Sequence, residues 1–76
     1  MDLSPKELDV LALVALGYSD QEIGNKLKIQ YGTVRTHVQR MVLKLNARNR
    51  GHAVLAYIMR NPKWVTEFNK KYKRFI

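Results

Sequence analysis

Residues 19–45 read SDQEIGNKLKIQYGTVRTHVQRMVLKL, and this stretch predicts two helices with a short connection between them. Ser19 and Glu22 form the pattern of a capping box, in which a serine and a glutamate three residues later satisfy free backbone groups at a helix start. That helix is expected to end near Lys28. A longer helix is expected over residues 31–45, where apolar residues recur at helical spacing.

Further helices are predicted on both sides of this pair. The sequence Ser4-Pro5-Lys6-Glu7 offers an N-cap, a first-turn proline and a capping-box glutamate, and the helix that it opens is expected to stop at Gly17. Asn46 is expected to end the helix over residues 31–45 in the left-handed conformation. Asn49 is placed to cap a helix over residues 50–60.

A fifth helix is predicted at the C-terminus. Asn61-Pro62 ends the preceding helix, because the residue before a proline is pushed out of helical geometry. The same pair resembles an N-cap with a first-turn proline, so a helix is expected from Pro62 to about Lys73, with one aromatic stripe formed by Trp64, Phe68 and Tyr72. The sequence therefore predicts an all-α chain with a domain over residues 1–60 and a basic aromatic helix or tail over 61–76.

The charge of the chain is strongly asymmetric. It carries 14 Lys and Arg against 6 Asp and Glu, a net charge of +8. Residues 1–25 hold five of the acids and one base, whereas residues 26–76 hold thirteen bases and one acid. This asymmetry favours nucleic acid as the partner; the alternative is a basic surface that serves solubility alone.

Several function classes are excluded by what the sequence lacks. There is no cysteine, and the two histidines lack the spacing of a metal pair, so no metal site is expected. No acid pair or activated nucleophile is present, so we expect neither an enzyme nor a cofactor or small-molecule ligand. With no signal peptide and no apolar run of about 18 residues, the protein is expected to be cytoplasmic and independent of membranes.

The helix predicted over residues 31–45 has two different faces. Successive residues lie about 100° apart around a helix, which places Val34, Val38, Met41 and Leu45 on one apolar side. The opposite arc carries Gly32, Thr33, Thr36, Gln39, Arg40 and Leu43, with Arg35 and Lys44 at its edges. In a major groove arginine can read guanine, glutamine can read adenine and threonine can contact a thymine methyl. The alternative is an ordinary solvated helix face.

Residues 3–58 resemble the LuxR/GerE helix-turn-helix domain. The resemblance rests on Leu3-Ser4-Pro5 with Glu7, Gly17-Tyr18-Ser19 with Glu22-Ile23, the run Thr33-Val34-Arg35-Thr36-His37-Val38, Lys44-Leu45, and Arg48-Asn49-Arg50 before Ala53-Val54. It implies a transcription regulator whose third helix enters the major groove of double-stranded DNA and whose fourth helix forms a homodimer contact.

The resemblance also implies roles for single residues. Base contacts are expected from Arg35, Thr36 and Gln39, and phosphate contacts from Thr33, Arg40 and Lys44. Tyr31, which stands where the family is usually charged or polar, is expected to donate to a phosphate rather than only shield the turn, and Gln30 replaces the usual Ser or Thr cap. The dimer or partner contact is expected from Val54, Tyr57 and Ile58 on the fourth helix and, on the evidence of the aromatic stripe rather than of the resemblance, from Trp64 and Phe68.

Another departure concerns the first helix, where Leu8, Ala12 and Leu16 form a row that the family usually keeps polar. We expect the aromatic face of the C-terminal helix to cover this row, either within one chain or from a partner subunit. The same two features support an alternative function, a protein-interaction module that binds RNA polymerase, a sigma factor or another regulator.

A few basic residues keep open assignments. Arg48 and Arg50 can contact phosphates or pair with an early acid such as Glu7. Those near the C-terminus, Lys70, Lys71, Lys73 and Arg74, extend the phosphate footprint or are merely solvated. His37 is expected at the edge of the core, hydrogen-bonded to backbone or phosphate. No sensing domain is recognisable, so a free-standing regulator is expected, unless the chain is part of a longer one.

Overall fold

The computed structural model describes residues 3–75, and every regular element within them is helical. The helices are α1 (Pro5–Ala15), α2 (Asp20–Leu27), α3 (Tyr31–Lys44), α4 (Arg50–Arg60) and α5 (Trp64–Lys71), followed by a 3₁₀ turn at Lys73–Phe75. The all-α class that the sequence predicts is confirmed. Within this part of the chain no helix combines the length and the apolar character that crossing a membrane requires.

Both predicted capping boxes are present. The Glu7 amide donates to Ser4 Oγ at 3.2 Å while Glu7 Oε1 accepts from the Ser4 amide at 2.9 Å, and Ser19 and Glu22 repeat the arrangement at the same distances. Asn49 Oδ1 accepts from the His52 amide at 2.9 Å and starts α4 as expected. These reciprocal bonds satisfy backbone donors that a helix start leaves free.

The helix ends also follow the sequence. Gly17 and Asn46 have φ values of +90° and +52°, the left-handed geometry predicted for both, and Lys28 closes α2 with φ of +57°. The start of α3 carries no side-chain cap, because Gln30 makes no such hydrogen bond. The replacement of the usual Ser or Thr by Gln30 therefore leaves α3 without a side-chain cap.

The connection from α2 to α3 depends on Gly24. A Cβ atom at this position would lie 2.8 Å from the backbone oxygen of Ile29, which is closer than such atoms approach. The Ile29 amide also donates to Gly24 O at 3.0 Å. Absence of a side chain at Gly24 thus lets α3 start close against α2.

The predicted start of the fifth helix is wrong by two residues. Asn61 does not cap α5. Its amide and its side-chain Nδ2 both donate to Tyr57 O, at 2.9 and 3.1 Å, so Asn61 closes α4. Pro62 and Lys63 form a turn, and α5 begins at Trp64 without a side-chain cap. The Asn61 side chain, which the sequence pattern assigned to the start of α5, thus bonds to a carbonyl oxygen of α4 instead.

The hydrophobic core surrounds α1. Its residues Val10, Leu11, Ala12 and Leu13 have no exposed surface, and α2, α3 and α4 pack against it. Trp64 and Tyr72, 8% and 3% exposed, belong to the same core. Residues 61–75 are therefore packed on the helix-turn-helix domain.

Within the apolar row on α1, Ala12 is fully buried, while Leu8 and Leu16 are half-buried against the core. Leu16 lines one hollow with Trp64 and Phe68. This packing supports the within-chain version of the expected cover, in which the aromatic face of α5 shields α1 of the same molecule.

Candidate nucleic-acid interface

The outward face of α3 is polar and cationic, as the helical spacing predicts. Val34, Val38 and Met41 are buried on the inner side. The side chains of the outer arc are exposed in the single chain: Gly32, Thr33, Arg35, Thr36, Gln39, Arg40 and Leu43. The three predicted base-reading residues therefore share one accessible surface, which we call the α3 face.

Arg35 is tethered on this face by Tyr31, one turn earlier. Its Nη1 donates to the Tyr31 hydroxyl at 3.0 Å, and its guanidinium carbon lies 5.7 Å from the centre of the tyrosine ring. Both contacts are local, because residues four apart lie on the same side of a helix. Tyr31, predicted from the sequence as a phosphate contact, thus has an arginine partner that sequence analysis missed.

The methyl group of Thr36 is free to contact a base, whereas its hydroxyl proton is bonded within α3. Thr36 Oγ1 donates to the backbone oxygen of Gly32 at 3.0 Å, a bond within the first turns of α3. The hydroxyl proton is therefore already used. What remains for a base is mainly the methyl group, which suits contact with a thymine methyl.

An ion pair beside the start of α3 joins α2 to α4. Arg50 binds Asp20 through both terminal guanidinium nitrogens, Nη1 and Nη2, with Nη2 at 3.1 Å from Oδ2. The hydrogen bond from Arg50 holds the pKa of Asp20 below its ordinary value, since it favours the charged carboxylate. The open alternative for Arg50 is resolved in favour of an early acid, although that acid is Asp20 rather than Glu7.

Glu7 takes its ion-pair partner from the end of α3. Lys44 Nζ donates to Glu7 Oε1 at 2.7 Å, and the Glu7 side chain is only 3% exposed. Burial by itself would raise the pKa of Glu7, but the hydrogen bonds from Lys44 and Ser4 outweigh it and hold this pKa below its ordinary value. Lys44, predicted as a phosphate contact, is therefore paired within the protein.

The predicted dimer residues separate into two groups. Val54 and Ile58 are half-buried on α4, whereas Trp64 is 8% exposed and packs edge-on against Tyr57, with ring centres 5.4 Å apart. Phe68 packs in turn on Trp64, with ring centres 5.3 Å apart. Trp64 thus makes its main contacts within its own chain.

Sequence analysis missed two exposed apolar residues on α4. Leu55 is 54% exposed and Met59 is 74% exposed, and they lie one turn apart beside the row of Val54 and Ile58. The available signal was an excess of apolar residues: α4 carries more than its inner face can bury, so some must lie outside.

The C-terminal segment, residues 61–75, is held by aromatic and polar contacts with α1, the α1–α2 turn and α4. An aromatic series runs through Tyr57, Trp64, Phe68, Tyr72 and Phe75. Tyr72 donates to Asp9, Tyr18 donates to Phe75 O at 2.8 Å, and Lys71 Nζ lies 3.4 Å from Asp9 Oδ1.

The Nδ1 atoms of the two histidines have different surroundings. His37 Nδ1 is buried and has no hydrogen-bond partner among the described residues, so the expected bond to backbone is not seen for this atom. His52 Nδ1 accepts from the Arg48 amide at 3.0 Å and so supports the turn before α4.

Comparison with known proteins matches residues 1–57 to the bacterial regulatory proteins of the luxR family, under the family name GerE. Response regulator protein VraR from Staphylococcus aureus (strain NCTC 8325) is 39% identical over 59 residues, and the VraR proteins of Staphylococcus epidermidis and Staphylococcus saprophyticus give the same identity. Each match covers 78% of this chain and 28% of the relative. The chain thus spans about 28% of the length of these curated relatives.

Proposed function

The chain belongs to the luxR family of bacterial regulatory proteins, whose helix-turn-helix domain binds DNA in transcription regulation, and we propose that it recognises a specific double-stranded sequence through the α3 face. The observation that carries this proposal is the exposure of the polar and cationic residues of α3 opposite its buried stripe. A helix with such a face fits the width of the major groove.

Base recognition is assigned to Arg35, Thr36 and Gln39. They occupy consecutive turns near the N-terminal half of α3, the part of a recognition helix that contacts base edges. Arg35 can donate two parallel hydrogen bonds to guanine, Gln39 can pair with adenine, and the Thr36 methyl can contact thymine.

Phosphate contacts are assigned to Thr33, Arg40 and the hydroxyl of Tyr31. The first two are exposed on α3 and bind no acidic side chain within residues 3–75, so their donors can meet the DNA backbone. Lys44 contributes less than the sequence suggested, since Glu7 already neutralises its charge.

We assign the homodimer contact to α4. Leu55 and Met59 are exposed and stand beside Val54 and Ile58, so two neighbouring apolar rows can meet the same rows of a second copy around a two-fold axis. A dimer of this kind reads two half-sites about one helical turn apart or somewhat less.

The support for a protein-interaction module is weakened by the packing of α5. The apolar row on α1 and the aromatic stripe suggested that alternative, yet Ala12, Trp64 and Tyr72 are buried together in the core of one chain. Their apolar character is therefore already explained by folding.

The test is selection of bound duplexes from a random library at about physiological salt, where non-specific phosphate binding is suppressed. We expect a motif with two-fold symmetry. Arg35→Ala is expected to weaken binding to that motif by about 1–3 kcal/mol and to relax preference at one base pair in each half-site.

Arg60→Ala is the matched control, because it removes the same side chain from an exposed position at the end of α4. It should leave the preferred bases unchanged. Recovery of no motif, or an equal loss from both substitutions, would contradict sequence-specific reading by α3.

A further inference from the structure

We propose that Tyr31 is a positioning residue, which holds the Arg35 guanidinium in place on the α3 face before DNA arrives and so sharpens the reading of a base by Arg35. The proposal rests on the proposed function and deepens it. It starts from the contact between the two side chains, a hydrogen bond of 3.0 Å from Arg35 Nη1 to the Tyr31 hydroxyl combined with a guanidinium placed 5.7 Å from the ring centre.

The chemistry of this partner suits an arginine that must still bind a base. Tyrosine is neutral, so it restrains the guanidinium without cancelling its charge. It accepts one hydrogen bond, whereas a guanidinium carries five N–H donors, which leaves an edge for the two acceptors of guanine. A carboxylate in the same place would bind two donors and compete with the base.

Asp20, a carboxylate that could compete for Arg35, already has its hydrogen-bond partners. Asp20 acts electrostatically on Arg35, but both of its oxygens accept from Arg50. Asp20, Tyr31 and Arg50 line one open cleft at the start of α3. The Asp20–Arg50 pair thus leaves Arg35 to Tyr31 at the start of α3, which has no side-chain cap.

Pre-positioning matters because a free arginine side chain has many rotamers, most of which must be given up when it binds a base. An arginine already restrained by Tyr31 loses fewer rotamers when it binds. The conformational cost of binding is lower, and the affinity for DNA is higher. The Tyr31 hydroxyl also keeps its own proton, which can go to a phosphate. One residue can therefore align Arg35 and touch the DNA backbone.

The experiment uses the whole chain with Tyr31→Phe, which removes the hydroxyl and keeps the ring. We expect a loss of about 3- to 10-fold in affinity for the selected duplex, the range of one hydrogen bond, and a much smaller loss for a scrambled duplex. In the Arg35→Ala background the same substitution is expected to cost much less affinity, because only the phosphate contact of the hydroxyl is then left to lose.

Tyr18→Phe is the matched control, since it removes a hydroxyl that donates to Phe75 O on another part of the surface. It should leave discrimination between the two duplexes unchanged. The proposal is overturned if Tyr31→Phe changes nothing, if it weakens both duplexes equally, or if its effect is undiminished without Arg35, as a phosphate contact alone would require.

A second measurement needs no DNA. The ¹⁵N relaxation of Arg35 Nε in the free protein should report larger motion in Tyr31→Phe than in the unchanged chain or in Tyr18→Phe, and equal motion would overturn the proposal. If the unchanged chain selects no motif, the proposed function fails, and with it the role in reading bases, while the relaxation data still decide whether Tyr31 restrains Arg35.

Discussion

The α3 face and the C-terminal segment are both rich in cations, yet their side chains have different partners. On the α3 face, Arg35 is tied only to the neutral Tyr31 by a direct bond. In the C-terminal segment, Lys71 lies 3.4 Å from Asp9, and Arg74 covers the ring of Phe75 at 4.7 Å. Positive charge alone therefore does not distinguish the two surfaces, whereas the partners of Arg35, Lys71 and Arg74 do.

The apolar residues of the two regions explain this difference. On α3, Val34, Val38 and Met41 are buried in the core and leave the opposite face outside. The aromatic residues of the C-terminal segment pack on α1, the α1–α2 turn and α4, and so hold this segment against the rest of the fold. We therefore expect the segment to stabilise the fold and the α3 face to bind DNA.

The largest expected effect tests the structural role of the C-terminal segment. Trp64→Ala removes a core ring and should destabilise the protein by about 3–5 kcal/mol, which is a large part of the free energy of unfolding of a domain of this size. Thermal unfolding and oligomeric mass are measured together. Val65→Ala, at the exposed neighbouring position, should change stability by no more than about 0.5 kcal/mol.

An unchanged melting temperature for Trp64→Ala, combined with a loss of self-association, would break the comparison. It would mean that the aromatic stripe packs between subunits rather than on its own α1.

A smaller effect is expected from the ion pair that ties the end of α3 to α1. Glu7→Gln keeps an oxygen for the Ser4 amide but removes the charge that binds Lys44, so stability at pH 7 should fall by about 1–2 kcal/mol. Because folding lowers the pKa of Glu7, its contribution is present above the ordinary value of 4.5 and is lost as the pH falls through the folded pKa.

Urea unfolding between about pH 3 and pH 7 checks this prediction. The Glu7→Gln variant should lose less stability on acidification than the unchanged chain. Glu67→Gln, at an exposed position, is the control and should behave like the unchanged chain. Parallel curves of stability against pH for all three proteins would contradict the stabilising role of the Glu7 carboxylate.

The smallest expected effect separates the two cationic surfaces directly. Arg40→Gln on the α3 face should reduce the slope of log affinity against log salt by about 1, as the loss of one phosphate contact requires. The double substitution Lys70→Gln and Lys73→Gln should leave the slope almost unchanged, because the contacts that fix the C-terminal segment are with α1, α2 and α4.

These lysine substitutions are preferable to truncation at Asn69. Truncation would also remove Tyr72 and Phe75, which hold the segment to Asp9 and Tyr18. A slope reduced by about 2 in the double variant would place the C-terminal segment on the DNA and break the comparison.

Much of the fold was predictable because its signals are local. Capping boxes, left-handed terminators and apolar stripes depend on residues within about one or two turns of each other, and Ser4, Ser19, Gly17, Asn46 and Asn49 all act as predicted. The start of α5 was not, because Asn61 can cap either neighbouring helix. Its hydrogen bonds to Tyr57 show that it closes α4 instead.

The sequence by itself determined the helices, the family and which face of α3 lies outside, since each of these depends on spacing along one chain. Only the tertiary structure decided the partners of the charged and aromatic groups. Lys44 pairs with Glu7, Arg50 with Asp20, and Tyr72 with Asp9, over separations of 37, 30 and 63 residues. The reason is physical: an ion pair or a ring contact depends on distance in space, which no local pattern along the chain specifies.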